Sequence, residues 1–118
     1  MEITINRKKV QLQFGVRFLR ELDKTDGMEI QGQQYGFAIQ TALPKLEGYD
    51  PVTLANVIHA AAYKASPRPS FEAIDDYLDT VEDLEGLFNE IRGLIESSNA
   101  IKLASKKLKE ISTKNPQA

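Results

Sequence analysis

The chain has no cysteine, no tryptophan and a single histidine. The absence of cysteine excludes disulfide frameworks, thiolate metal sites and thiol nucleophiles together, and it suits a reducing compartment. With His59 alone, a transition-metal centre would depend on distant carboxylates, and a Ser-His-Asp unit lacks a recognisable nucleophile turn. No stretch approaches the ~20 apolar residues of a membrane span. Met1-Glu2 runs into an alternating pattern rather than a basic segment and an apolar run, so export is not indicated. The glycines never form the GxGxxG or GxxxxGK spacing that points successive amides at a phosphate, and Gly27, Gly32 and Gly36 read as loop punctuation. The expectation is a soluble, intracellular protein. At 118 residues it is one domain, able to bury about two-thirds of its unfolded surface without cross-links.

What is present begins with Met1 to Lys24. Ile3, Ile5, Val10 and Leu12 alternate with polar residues on both sides of Asn6-Arg7-Lys8-Lys9, the period-2 pattern of two half-buried strands. After Phe14-Gly15 the period changes. Val16, Phe18, Leu19 and Leu22 take helical spacing, with Arg17, Arg20, Glu21 and Asp23 between them. Asp26, the glycines and Gln31, Gln33 and Gln34 predict a loop, followed by a helix from Tyr35 or Gly36 to Glu47. Pro44 falls inside that helix, which should be bent or split in two.

Asp50 and Pro51 predict the next helix start: the carboxylate accepts from free amides, and proline needs no partner in the first turn. Leu54, Val57, Ile58, Ala61, Ala62 and Ala65 form its stripe, and Ser66-Pro67-Arg68-Pro69 ends it. Ser70 caps a fourth helix that carries Phe71, Ile74, Leu78 and Val81 inward. Leu84, Leu87, Phe88, Ile91, Leu94 and Ile95 make the longest pattern, which Ile101, Leu108 and Ile111 extend beyond Ser97-Ser98-Asn99. A continuous helix from Leu84 to Ile111 would span about 40 Å and project from a domain about 35 Å across. The alternative is that Asn99 caps a shorter helix that folds back. The fold class is therefore α+β and mostly α: an N-terminal β-hairpin and four to five amphipathic helices, the last one long. The domain covers residues 1–112, and 113–118 form a disordered end.

This order of elements resembles the tail assembly chaperones of long-tailed phages of Gram-positive bacteria. The resemblance rests on MEITINRKKVQLQFGVRFLRELDK, on QTALPKLEGYDPVTLANVIHAA and on RPSFEAIDDYLDTVEDLEGLFNEI, and it is weakest past Asn99. It implies a protein of the host cytoplasm that binds the tape-measure protein, keeps that long helical chain soluble, helps recruit the major tail protein that forms the tail tube, and is absent from the finished virion. The residues expected to meet the partner are Leu87, Phe88, Ile91, Leu94 and Ile95, for which core packing is the competing use. Two other readings stay open: a structural tail or connector protein of the virion, and a small nucleic-acid-binding regulator.

No feature makes an enzyme the preferred class, and no cofactor is expected. Asp75, Asp76 and Asp79, with Glu82 and Asp83 a turn later, have spacing that could gather a hard cation. A chain this short, with Arg92 the one cation between Glu72 and Glu96, has little from which to build a magnesium-diphosphate cavity, and charges at helical spacing usually form a solvated face. His59 reads as a partly exposed structural residue. Gly86, Gly93 and Ala100 recur every seven residues; they either admit a close helix or are tolerated by a helix that packing stabilises.

The net charge of -2 is unevenly spread. Glu72, Asp75, Asp76, Asp79, Glu82, Asp83, Glu85, Glu90 and Glu96 stand against Arg92, whereas Lys102, Lys106, Lys107, Lys109 and Lys114 dominate the tail. The acidic part and the basic tail can pair within one chain, with a second copy or with an acidic partner, so a homo-oligomer is left open. The basic segment lacks an aromatic residue to stack on bases or anchor at a membrane, so neither nucleic acid nor a membrane is an expected partner.

Overall fold

In the computed structural model, residues 1–26, 28–30, 33–35 and 38–103 are described. The opening hairpin pairs β1 (Glu2–Ile5) with β2 (Lys8–Gln11), antiparallel, with Ile3 opposite Val10 and Ile5 opposite Lys8. Its turn is tighter than the four polar residues suggest. Asn6 and Arg7 alone form it, with φ of 52° and 67°, and two positive φ values match the right-handed twist of the flanking strands. Ile3, Ile5, Val10 and Leu12 are all buried, so one face of the ribbon supplies core.

The chain then enters α1 (Val16–Asp26), where Phe18 and Leu22 are fully buried and Phe14 meets Phe18 edge-on with ring centroids 5.2 Å apart. Val16, expected on the apolar side, is instead exposed at 59%. It is the first residue of the helix, where the side chain still points away from the packed face. The expected loop contains a second short hairpin, β3 (Met28–Ile30) with β4 (Gln33–Tyr35), so Tyr35 belongs to a strand rather than to the next helix. Gly27, Gly32 and Gly36 lie outside the described residues.

α2 (Ala38–Glu47) starts against α1, where the Asp23 carboxylate accepts from the Ala38 amide at 3.3 Å. It runs as one helix through Pro44. Proline removes only the bond to the Gln40 carbonyl, and both residues are exposed. The helix ends in a Schellman arrangement: the Asp50 amide donates to the Lys45 carbonyl and the Tyr49 amide to that of Leu46. Tyr49 occupies the left-handed position, with φ 58°.

α3 (Pro51–Ala61) begins as expected, with the Asp50 carboxylate accepting from the Val52 amide and, at 2.8 Å, from the Thr53 hydroxyl. It is the central element. Thr53, Leu54, Ala55, Val57, Ile58, Ala60 and Ala61 are all buried, because α1, α2 and α4 pack around it and its alanines permit close approach. α4 (Phe71–Thr80) has Ser70 as its cap and buries Ile74 and Leu78. Phe71 does not point inward as expected: it is 39% exposed and stacks on His59. α5 (Leu84–Ser97) follows, capped by Asp83.

The long terminal pattern is broken. Ser98 is extended, its amide closes α5 on the Ile95 carbonyl, and its own carbonyl accepts from Lys102 at the start of a further helix described over 99–103. The fresh start falls one residue earlier than an Asn99 cap, and Ile101 is buried in the core, which turns this helix toward the body. Leu108, Ile111 and the end assigned to 113–118 lie outside the described residues.

Candidate partner-binding surface

α5 is the element on which partner contact was expected. Asp83 sets its start: the carboxylate accepts from the Gly86 amide at 2.9 Å, satisfying one of the free N–H groups of the first turn. From there the three-four spacing sends Leu87, Phe88, Ile91 and Ile95 into the core, and all four are buried. Leu94 falls on the other side and is 37% exposed. Of the five residues, Leu94 is thus the one presented to solvent; the others reach a partner only if α5 leaves its place.

Tyr49 holds it there. The ring meets Phe88 edge-on with centroids 5.3 Å apart, and the hydroxyl lies within reach of Glu85 at 3.3 Å and Asn89 at 3.4 Å. The Schellman turn after α2 therefore adds a brace to the core contacts that seat α5, a link that no local pattern announces. An aromatic residue directly after Gly48 was the available signal, since glycine itself is favoured in a left-handed position.

Beside α5 the surface is acidic. Val81, Glu82, Asp83, Gly86, Leu87 and Glu90 line an open groove of about 460 Å³ where α4 gives way to α5. Tyr77, half-buried nearby, has its phenol pushed above the usual range, first by burial and then by the Glu90 charge. Among the described residues, no group of three or more histidine, cysteine, aspartate or glutamate side chains is placed to hold a metal ion. Asp75, Asp76, Asp79, Glu82 and Asp83 are all exposed.

His59 and Phe71 form a second surface feature, stacked with centroids 4.0 Å apart and planes inclined by 20°. Burial, and then the nearby Arg68 charge, lower the imidazole below its ordinary 6.5, while Glu21 acts in the opposite direction. Val52, in the first turn of α3, is 68% exposed, and Leu103 is 71% exposed. No helix among the described residues is long and apolar enough to cross a membrane.

The fold is thus a small helical body on a β-ribbon, with an acidic, partly apolar outer surface of the kind that suits a protein-binding module. The chain belongs to the phage tail assembly chaperone family, whose family model matches residues 2–110. No curated protein and no solved structure matches it.

Proposed function

We propose that this chaperone is a holdase for the tape-measure protein. Its membership of the tail assembly chaperone family over residues 2–110 carries the reading. A long helical partner with apolar faces aggregates unless those faces are covered, and copies of a small helical protein can cover them helix against groove. Binding only to the soluble chain shifts that chain away from aggregation by mass action. Each contact is weak and the copies are many, so major tail protein subunits displace them as the tube polymerises around the same chain. The chaperone acts in the host cytoplasm and is absent from the finished virion.

α5 is the contact element in this reading. Leu94 meets the partner directly, whereas Leu87, Phe88, Ile91 and Ile95 keep the helix seated. The test is co-expression with the tape-measure protein, following its solubility and co-elution. Rescue with many chaperone copies per partner supports the proposal. Failure of both rescue and co-elution, or recovery of this chain in purified virions, overturns it.

A further inference from the structure

The groove at the α4–α5 junction combines two kinds of lining. Leu87 is buried and Val81 and Gly86 half-buried, whereas Glu82, Asp83 and Glu90 are exposed. Among the described residues the ion pairs formed are those of Glu21, with Lys24 and with Arg68. Among the described residues no cation bridges Glu82, Asp83 or Glu90, and Asp83 also accepts from the Gly86 amide as the cap of α5. A ligand that fits has an aliphatic side for Val81 and Leu87 and ammonium groups for the acids.

The chain carries such a segment. Ala104 to Ile111 reads Ala-Ser-Lys-Lys-Leu-Lys-Glu-Ile, three lysines interleaved with Leu108 and Ile111. Its starting point is set by the helix at 99–103, which Ile101 anchors in the core. From Ser98 back to Gly86 the distance along α5 is about 18 Å at 1.5 Å per residue. The segment leaves from Leu103, up to about 7 Å farther on along the helix of 99–103; eight extended residues reach roughly 26 Å, so its far end can return to Gly86 while its first lysines reach about as far as Glu90.

We propose that the groove formed by Val81, Glu82, Asp83, Gly86, Leu87 and Glu90 is the docking site of the chain's own segment 104–111, with Lys106, Lys107 and Lys109 on the carboxylates and Leu108 and Ile111 on the apolar floor. Solvent-exposed charges are screened over about 8 Å at physiological salt, so the contact weakens as salt rises. An intramolecular occupant acts at an effective concentration in the ~mM range, and a lysine-flanked helix from another protein has to displace it.

Because the chain has no cysteine, a nitroxide can be placed at one site of the full-length protein through Ser105→Cys. The amide signals of Val81, Glu82, Gly86, Leu87 and Glu90 should lose most of their intensity relative to the reduced label. That loss should disappear in a Glu82→Gln/Glu90→Gln variant, which keeps the Asp83 cap. It should also be absent when isotope-labelled protein is mixed with spin-labelled, unlabelled protein. Full intensity in the first sample overturns the proposal. So does loss in the mixed sample, which would make the occupant a second copy, and so does loss that survives the glutamine substitutions.

Discussion

The guanidinium of Arg68 joins Glu21 to the end of α3. Its Nη1 donates to Glu21 Oε1 at 3.0 Å, while Nε and Nη2 donate to the His59 carbonyl at 3.0 and 2.6 Å. Nη2 also lies 3.5 Å from the Ala60 carbonyl. These bonds complete the C-terminal end of the central helix. The Ile58 carbonyl is taken by the Ala62 amide and that of Ala61 by Gln13, so Arg68 supplies donors for the two between them. One side chain thereby ties α1, α3 and the Ser66–Pro69 segment together.

Arg68→Ala should therefore destabilise the fold by about 1–3 kcal/mol, the range for hydrogen bonds to charged groups and for buried carbonyls left without a donor. Glu21→Gln should cost less, because Arg68 keeps the helix end. Arg68→Lys should not restore stability, since an ammonium lacks the planar fork that reaches both partners. Urea titration of the three variants gives the order; equal losses for Glu21→Gln and Arg68→Ala would show that the carboxylate, not the helix end, is what the guanidinium secures.

Two pH windows follow from the same cluster. The Lys24 ammonium, and then Arg68, hold the Glu21 carboxyl below its ordinary 4.5 against the opposing effect of burial. A folded-state pKa below the unfolded one means stability that is present above pH 4.5 and is lost as pH falls through the folded value. For His59 the folded value also lies below the unfolded 6.5, so its contribution is complete above that pH and is lost on acidification. His59→Phe preserves a ring on Phe71 and removes the titration. Its stability should fall less than the parent's between pH 7.5 and 5.5, a comparison made by denaturant midpoints at each pH. Parallel loss in both proteins would exclude the histidine as the source.

Local chemistry made much of this fold legible. The hairpin, the Asp50-Pro51 start, the Ser70 cap and the inward faces of α3 and α5 depend on residues within one or two turns of one another. What was not legible depends on contacts distant in sequence. The second hairpin has little apolar alternation, because Gln33 and Gln34 sit where a half-buried strand would repeat a hydrophobe. Phe71 was expected inside, but it finds its partner in His59 across two helices. Arg68 and Glu21 are separated by 47 positions, and no spacing rule relates them. The partner surface was the least legible part, since one amphipathic stripe serves equally as core or interface, and the acidic groove, although local, depends on how the turn at 81–83 sets the first two turns of α5.

The two glycines of α5 should respond oppositely to alanine. At Gly93 an added methyl meets nothing within 4 Å, so Gly93→Ala should stabilise by about 0.5–1 kcal/mol through helix propensity alone. At Gly86 the methyl would collide with the Asp83 carboxylate that caps the helix. Displacing that cap costs about 1 kcal/mol, which offsets the propensity term, so Gly86→Ala should bring no increase in thermal midpoint. An equal increase for both would mean that the cap relaxes freely around the new methyl.

Phe88 and Leu94 allow folding to be separated from the proposed partner contact on one helix. Phe88 is buried at 1% exposure and braced by Tyr49; Phe88→Ala should cost about 3–5 kcal/mol, a large part of the roughly 5–15 kcal/mol available to a typical domain. A loss of partner binding in that variant would carry no information about the interface. Leu94 is 37% exposed, so Leu94→Asp should lower the unfolding midpoint far less than Phe88→Ala while reducing co-elution of the tape-measure protein several-fold. Circular dichroism melts run beside the co-expression assay distinguish the two effects. A normal melt with undiminished co-elution would move the contact away from the outer side of α5 and toward the other exposed apolar residues, of which Val52 stands farthest out on the helices described in full.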